Sequence, residues 1–196
     1  MVLTMNSNKY KLIVLFGKAG AGKDYLLQQI YEKHKDILNL VVSDTTRPPR
    51  FGEENGKDYY FLTEEEFKSK EHLEQSYFNN WYYGTPLSSL DKTKINICVM
   101  NPEGIKQIYL KENLDIKLFY ISAPDITRFF RQIEREQYPN FSEICRRYLA
   151  DEEDYKNLFH YPFTKLRNSF NFDAEQCIMT VEETINQFKS DLDRMN

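Results

Sequence analysis

The stretch Leu12-Ile13-Val14-Leu15-Phe16-Gly17-Lys18-Ala19-Gly20-Ala21-Gly22-Lys23-Asp24 decides the fold of this chain. An apolar run typical of a buried strand leads directly into a turn with Gly-x-x-x-x-Gly-Lys spacing. In such a loop the backbone N–H groups wrap a polyphosphate, and the following helix points its positive end at it. Residues 24–35 supply that helix, with Leu26, Leu27 and Ile30 on one face.

The loop therefore predicts a site for a nucleoside triphosphate, with an ordinary Gly-rich turn as the alternative. Lys23 can reach between the two terminal phosphates. The residues predicted to contact the nucleotide are Gly17, Lys18, Ala19, Gly20, Ala21, Gly22, Lys23, Asp24 and Tyr25.

Predicted strands and helices alternate along the rest of the chain. Strands are predicted at residues 10–16, 39–43, 94–100, 116–122 and 163–167, the last at a sheet edge, and helices at 24–35, from Pro102, and at 124–136, 141–157 and 181–194. This alternation predicts an α/β protein with a parallel sheet, helices on both faces, and ligands at the carboxyl ends of the strands.

The segment from residue 44 to residue 85 interrupts the alternation. It is polar and aromatic and is punctuated by Gly and Pro, with an extended piece near residues 59–62. A helix is predicted from Thr63, which forms a capping box with Glu66. We interpret the segment as a lobe inserted into a single domain.

Composition limits the classes of protein. The 196 residues suffice for one domain, and the net charge of −4 argues against a nucleic-acid partner. The three cysteines lack CxxC spacing, which favours a reducing compartment over a disulfide framework or a zinc site. The longest apolar stretch is too short to cross a membrane and no signal peptide is evident, so we expect a cytoplasmic protein without membrane contact.

A second phosphate site lies close to the first in sequence. It reads Thr45-Thr46-Arg47-Pro48-Pro49-Arg50-Phe51-Gly52-Glu53, and its two arginines are suited to charged, fork-like contacts with a phosphate. A solvated surface loop is the alternative. Because a triphosphate and a second phosphate bound side by side suit phosphoryl transfer, we interpret the protein as a small-molecule kinase.

This run, preceded by Ser43-Asp44 and followed by Gly56, Asp58, Tyr59 and Tyr82-Tyr83-Gly84-Thr85, strongly resembles guanylate kinase. The resemblance extends from residue 10 to about residue 192 and is specific in the first 85 residues. It implies a P-loop kinase fold with a core (10–43, 92–133, 155–196), an acceptor-binding lobe (44–91) and a helical lid (134–154). The GMP-binding residues that it implies are Ser43, Arg47, Arg50, Glu53, Tyr59, Glu74, Tyr83 and Thr85.

Within that set the resemblance gives Arg47, Arg50, Tyr59 and Tyr83 to the acceptor phosphate, while Glu53 orients the arginines. Glu74 and Ser43 read the guanine edge, with help from Thr85. A glutamate that accepts two adjacent N–H groups of guanine disfavours adenine. The alternative for Glu74 is a solvated helix charge among Glu64, Glu65, Glu66 and Glu71.

The resemblance also implies lid arginines that embrace the transferred phosphate. Arg135 and Arg147 best match, and a positive clamp suits the loose transition state of phosphoryl transfer. Either could instead pair with acids on the helix surface. Lys23, Arg47, Arg135 and Arg147 are thus the predicted catalytic residues.

Two positions depart from guanylate kinase. The residue after Lys23 is Asp24 where Ser or Thr is usual, and strand 94–100 is followed by Asn101, with no carboxylate until Glu103. We expect a relocation, in which Asp24 serves Mg²⁺ and Asn101 contributes at most a neutral oxygen or a water contact; a decayed, inactive site is the alternative. Both features resemble ribose 1,5-bisphosphate phosphokinase, which lacks the acceptor signature present here.

The leading hypothesis is ATP-dependent phosphorylation of GMP or dGMP with Mg²⁺, by a monomer or homodimer. Two alternatives stay open: a catalytically inactive guanylate-kinase-like module that binds phosphoproteins, and a kinase for another phosphorylated acceptor such as ribose 1,5-bisphosphate. Lys23 and the lid arginines argue against the inactive module.

Overall fold

The strands of the computed structural model form two sheets. The model describes residues 9–49, 52–78, 80–135, 138–156, 160–169 and 173–194. The strands are β1 (Tyr10–Phe16), β2 (Leu38–Leu40), β3 (Asp44–Thr45), β4 (Tyr60–Phe61), β5 (His72–Phe78), β6 (Trp81–Pro86), β7 (Ile95–Val99), β8 (Leu114–Ser122) and β9 (Thr164–Arg167). The helices are α1 (Lys23–His34), α2 (Glu64–Ser69), α3 (Pro102–Ile108), α4 (Asp125–Glu134), α5 (Phe141–Asp154) and α6 (Asp173–Asp193), with a 3₁₀ turn at Leu87–Ser89.

Strand β1 lies at the centre of a parallel sheet with the order β2-β7-β1-β8-β9. Its side chains alternate between two cores: Ile13 and Leu15 pack with α1 and α6 on one face, whereas Leu12 and Val14 pack with α3 on the other. The predicted parallel sheet with helices on both faces is confirmed, as is the edge position of the last strand.

A second sheet, with the order β4-β3-β6-β5, is built from the segment that interrupts the alternation. Strands β5 and β6 pair antiparallel, and β3 pairs with β6. The predicted capping box is confirmed: Thr63 accepts from the Glu66 N–H, and the Glu66 carboxylate accepts from the Thr63 N–H at 2.7 Å.

Several predicted boundaries were wrong; helix α5, for example, ends at Asp154 rather than at residue 157. Strand β2 ends at Leu40 rather than at residue 43, so the chain is already irregular where it approaches the site. Strand β8 starts two residues early, at Leu114. Helix α6 starts at Asp173 rather than at residue 181, because Cys177, Ile178 and Val181 continue the helical core face. Over the described residues, no helix combines the length and apolar character needed to cross a bilayer.

Candidate active site

The loop between β1 and α1 depends on glycine for its shape. Gly17 and Gly20 have φ of +152° and +76°. A Cβ at Gly17 would lie 2.2 Å from the Ile121 carbonyl oxygen, and one at Gly20 would lie 2.4 Å from the Arg128 carbonyl oxygen. The loop therefore packs against the carboxyl end of β8 and against α4 with no room for side chains. Gly22 then caps α1 without a side-chain acceptor, which leaves N–H groups open to an anion.

The carboxyl-terminal end of α5 faces this loop. Asp151 Oδ2 accepts the Ala19 N–H at 2.7 Å, and the Tyr155 hydroxyl accepts the Gly17 N–H at 3.0 Å. Lys18 Nζ contacts the Glu152 carboxylate. Protein acceptors thus occupy N–H groups of the kind that phosphate oxygens use in such a loop.

Polar side chains hold the loop from the other side. The guanidinium of Arg128, almost fully buried, donates to the Ala19 carbonyl and to Asp151 Oδ2, each at 3.0 Å. Arg131 donates to the carbonyls of Ala21 and Asn168 at 3.3 and 3.0 Å, and Asn168 Nδ2 donates to the Ala21 carbonyl at 2.8 Å.

Sequence reasoning missed these loop contacts. The signal for Asn168 was present, because it directly follows the last strand of the parallel sheet. The contacts of Arg128, Asp151 and Tyr155 with the loop join segments more than 100 residues apart, which no local pattern indicates.

Lys23 lies between opposing electrostatic influences. Burial lowers the pKa of Lys23, and the positive charges of Arg128 and Arg135 lower it further. The negative charges of Asp24 and Asp151 act in the opposite direction and raise it. Its Nζ donates to the Lys18 carbonyl at 3.3 Å, folded back over the loop. An ammonium held there is placed to meet a phosphate that enters the loop.

Asp24 and Asn101 line different cavities. Asp24 is exposed in the first turn of α1 and lines one cavity together with Arg47. Asn101 lines the other cavity and caps α3, where its Oδ1 accepts the Gly104 N–H at 2.7 Å. Its Nδ2 donates to Ser76 Oγ at 3.1 Å. Tyr25, predicted at the nucleotide, has a side chain that is 58% exposed.

Arg47 is held by Glu53. Two hydrogen bonds of 2.7 and 3.0 Å join the guanidinium to the carboxylate, and both side chains are 8% exposed. Burial acts to lower the pKa of Arg47, but the hydrogen bond and charge of Glu53 raise it above its usual value. The guanidinium also lies 5.2 Å from the centre of the Tyr59 ring. Arg50, the second predicted arginine, lies outside the described residues.

Tyr59 and Tyr83 stand next to each other, with ring centres 6.2 Å apart. Burial, and then the charge of Asp24, raises the pKa of Tyr59 to about 12, so its hydroxyl stays a proton donor at neutral pH. Ser43 lies in the irregular segment after β2 and lines both cavities beside Tyr59.

Glu74 is a buried strand residue. It lies on β5, 6% exposed, and its Oε1 accepts the Thr85 hydroxyl at 2.7 Å. Burial raises the pKa of its carboxyl, although Thr85 opposes the shift. The alternative of a solvated helix charge was therefore wrong, because α2 ends at Ser69 and the chain enters the sheet before Glu74. A buried carboxylate facing a cavity is ready to accept N–H groups.

Two adjacent cavities connect these groups. A cavity of about 260 Å³ has Lys23 on its wall together with Glu74 and Tyr83. It is lined further by Gly17, Ala19, Ser43, Tyr59, Gly84, Val99, Met100, Asn101, Pro102, Asp151, Asp154 and Tyr155. A second cavity, of about 170 Å³, has Arg47 and Arg135 on its wall, with Asp24 and Glu53.

The two predicted lid arginines differ in position. Arg135 follows α4 and lines the second cavity with Arg47. Arg147 donates to Glu143 Oε1 at 2.9 Å on the same helix, and Arg146 donates to the same carboxylate. Hydrogen bonds first from Arg146 and then from Arg147 lower the pKa of Glu143 to about 2. For Arg147 the structure thus has the helix-surface pair that sequence reasoning kept as the alternative.

Comparisons with known proteins agree with this architecture. The family model for guanylate kinase matches residues 9–187. A guanylate kinase of Prochlorococcus marinus strain MIT 9312 is 33% identical over 186 residues, covering 89% of this chain and 98% of that protein. One from Caldanaerobacter subterraneus subsp. tengcongensis is 30% identical over 194 residues, covering 93% and 90%.

The fold also matches a solved structure. The crystal structure of guanylate kinase from Anaplasma phagocytophilum covers 92% of this chain with a TM-score of 0.63 and 21% identity, and 86% of that chain is covered. The family match spans both the phosphate-binding loop and the segment that carries Arg47 and Glu74. This chain belongs to the guanylate kinase family.

Proposed function

We propose that this protein transfers a phosphoryl group from ATP to GMP or dGMP and yields ADP and the nucleoside diphosphate. The observation that carries the proposal is the cavity whose wall holds both Lys23, after the phosphate-binding loop, and Glu74, the buried carboxylate of the inserted sheet. A donor at one end and an acceptor base at the other would share one cavity. Named guanylate kinases with 30–33% identity support the same reaction.

At the donor end, the loop N–H groups and Lys23 are assigned to the phosphates of ATP. Asp151 and Tyr155 now accept two of those N–H groups, so ATP would displace them and take the same donors. Arg128 and Arg131 hold the loop carbonyls, which keeps the N–H groups turned towards the phosphates. This rigidity lowers the cost of ordering the loop on binding.

At the acceptor end, Arg47, Arg50, Tyr59 and Tyr83 are assigned to the GMP phosphate. Glu53 supports the assignment, because its two hydrogen bonds fix the plane of the Arg47 guanidinium before the ligand arrives. Tyr59 adds a hydroxyl donor without adding charge.

Guanine selection is assigned to Glu74, with Ser43 and Thr85. Thr85 holds one oxygen of the carboxylate, and guanine presents adjacent ring and amino N–H donors that a carboxylate can accept together. Adenine presents an unprotonated ring nitrogen and would leave the buried charge unpaired. Losing these hydrogen bonds to a buried carboxylate separates guanine from adenine more strongly than a change in apolar contact would.

The residues present fit Mg²⁺ bound mainly through substrate. Within the described residues no group of three His, Cys, Asp or Glu side chains is arranged to hold a metal ion. Mg²⁺ at nucleotides takes most ligands from phosphates and water and needs only one or two carboxylates, so Asp24 can serve as the protein carboxylate. Bound there with ATP, Mg²⁺ would neutralise phosphate charge.

The protein needs no general base for this reaction. An oxygen of the GMP phosphate is already a nucleophile, so positioning and charge stabilisation do most of the work. Arg47 and Arg135 line the same cavity and are assigned to the two sides of the transferred group. The assignment of Arg147 to that group requires it to leave Glu143.

The two alternative functions are not favoured. A phosphoprotein-binding module has no use for a loop lysine and a carboxylate buried at the opposite end of the cavity. A ribose phosphate offers no N–H donors for Glu74. Neither alternative accounts for the cavity wall as a whole.

The test is ADP release from Mg-ATP with GMP, dGMP, AMP, CMP, dTMP and ribose 1,5-bisphosphate offered separately. Turnover confined to GMP and dGMP is expected. Glu74→Gln should raise the KM of GMP about a hundredfold and leave the KM of ATP within about twofold. Absence of turnover with every acceptor, despite GMP binding, would instead support the phosphoprotein-binding module.

A further inference from the structure

Helix α3 and the residues after it form hydrogen bonds with the backbone of β5 on both sides of Glu74. Gln107 makes two hydrogen bonds to the Gln75 backbone: its Oε1 accepts the N–H at 3.0 Å and its Nε2 donates to the carbonyl at 2.7 Å. Lys111 Nζ donates to the Leu73 carbonyl at 2.7 Å. The backbone immediately before and after Glu74 is therefore tied to an element of the central core.

Gly104 of α3 lies directly against the Glu74 carboxyl group. A Cβ at this position would stand 2.7 Å from Glu74 Oε2 and 2.9 Å from its Cδ, and also 2.7 Å from Met100 Cγ. Gly104 does not have a positive φ, so backbone conformation does not require glycine here. Glycine is also a poor helix former. What the position requires is the absence of a side chain beside the carboxylate.

We propose that Gly104 and Gln107 are positioning residues that set where the Glu74 carboxylate meets guanine. The proposal rests on the proposed function, in which Glu74 reads the base. Thr85 holds Oε1, Gly104 leaves the space that Oε2 occupies, and Gln107 fixes the strand that carries the side chain. The carboxylate is then aimed by contacts on two sides rather than by its own rotamer preference.

The predicted effect is on GMP alone. A methyl group at residue 104 would stand too close to the end of the Glu74 side chain and to Met100, so we expect the carboxylate to shift. We expect Gly104→Ala to raise the KM of GMP about tenfold while the KM of ATP stays within about twofold. The preference for GMP over AMP should fall by a similar factor.

A double-mutant cycle with Glu74→Gln tests whether Gly104→Ala changes the KM of GMP through the Glu74 carboxylate. If Gly104 acts through the carboxylate, Gly104→Ala should change the KM of GMP by less than about twofold in the Glu74→Gln background. Equal effects in both backgrounds would overturn the proposal, because the methyl group would then act through Met100 or the fold. If Glu74→Gln alone leaves the KM of GMP unchanged, the guanine assignment itself fails, which is a separate result.

Gln107→Ala provides a second test if Gly104→Ala does not fold. Gln107 is exposed, so its loss spares the core, yet it removes both hydrogen bonds beside Glu74. We expect a rise of about threefold in the KM of GMP, absent in the Glu74→Gln background. Lys106→Ala is the matched control, because Lys106 is exposed on α3 and pairs with Glu103 on that helix. An unchanged KM in Gln107→Ala would contradict the role of Gln107.

Discussion

At the scale of the single residue, Asp24 is the least usual part of the donor site. It is an exposed carboxylate in the first turn of α1, and it faces the cavity of Arg47 and Arg135. A carboxylate beside phosphate is unfavourable unless a cation lies between them. Its position is therefore consistent with the relocation of the metal carboxylate that the sequence suggested, which remains a prediction.

We expect Asp24→Asn to lower kcat about a hundredfold and to raise the Mg²⁺ concentration needed for half-maximal rate, because the protein carboxylate is lost. Binding of ATP without metal should stay the same or improve, since a negative charge is removed. Steady-state rates over a Mg²⁺ titration and calorimetric ATP binding measure these effects. Glu32→Gln, at an exposed carboxylate of the same helix, is the control. An unchanged Mg²⁺ dependence in Asp24→Asn would exclude a metal role.

If Glu74 accepts the guanine N–H groups as proposed, GMP binding should depend on pH. Burial raises the pKa of its carboxyl, so the free protein takes up this proton at a higher pH than an exposed glutamate does. GMP needs the ionised form, and its KM should therefore rise as the pH falls through that raised pKa. KM values measured from neutral to mildly acidic pH test this in the wild type and in Glu74→Gln. The same pH profile in both proteins would show that another group is responsible.

At the scale of the element, the end of α5 occupies loop N–H groups that the proposed function assigns to ATP. Asp151 accepts the Ala19 N–H, and burial raises the pKa of its carboxyl although Arg128 and Lys23 oppose the shift. Asp151→Asn keeps an oxygen for Ala19 but removes the charge that opposes the phosphates. We expect it to lower the Kd of ATP about fivefold. Calorimetry should show no change for Glu153→Gln, an exposed acid of the same helix. A higher Kd in Asp151→Asn would mean that its charge supports the loop through Arg128.

Local patterns predicted the elements whose cause is local. The apolar run of β1 and the Thr63–Glu66 capping box are properties of adjacent residues, and both are confirmed. The strand position of Glu74 was not predicted, because β5 is defined by pairing with β6 and by its contacts with α3. Whether such a segment forms a strand depends on its contacts with residues far away in sequence, and local sequence patterns do not indicate those contacts.

The same limit applies to the site. Glycine spacing and the paired arginine motif indicated Lys23, Arg47 and Glu53 because these residues lie within short segments. The contacts of Arg128 and Asp151 with the loop bridge distant segments, and only the folded chain brings them together.

At the scale of the whole molecule, α4 links the two ends of the active site. Arg128 and Arg131 hold the phosphate-binding loop, while Arg135, just after the same helix, lines the cavity of Arg47. A ligand bound at the loop therefore contacts a segment held by α4, and α4 is followed by Arg135 at the second cavity. Coupling between ligands requires such a shared element, and it is reciprocal.

We expect a non-hydrolysable ATP analogue to lower the Kd of GMP about tenfold, and GMP to lower the Kd of the analogue by the same factor. Arg135→Ala should abolish this coupling and weaken GMP binding alone by less than about threefold, because Arg47 and Glu53 remain. Calorimetric titrations of each ligand in the absence and presence of the other measure all four constants. Arg194→Ala, at a surface pair with Asp191, is the matched control. If the coupling persists in Arg135→Ala, the two ligands are coupled through the inserted sheet instead. The proposed coupling through α4 would then be wrong.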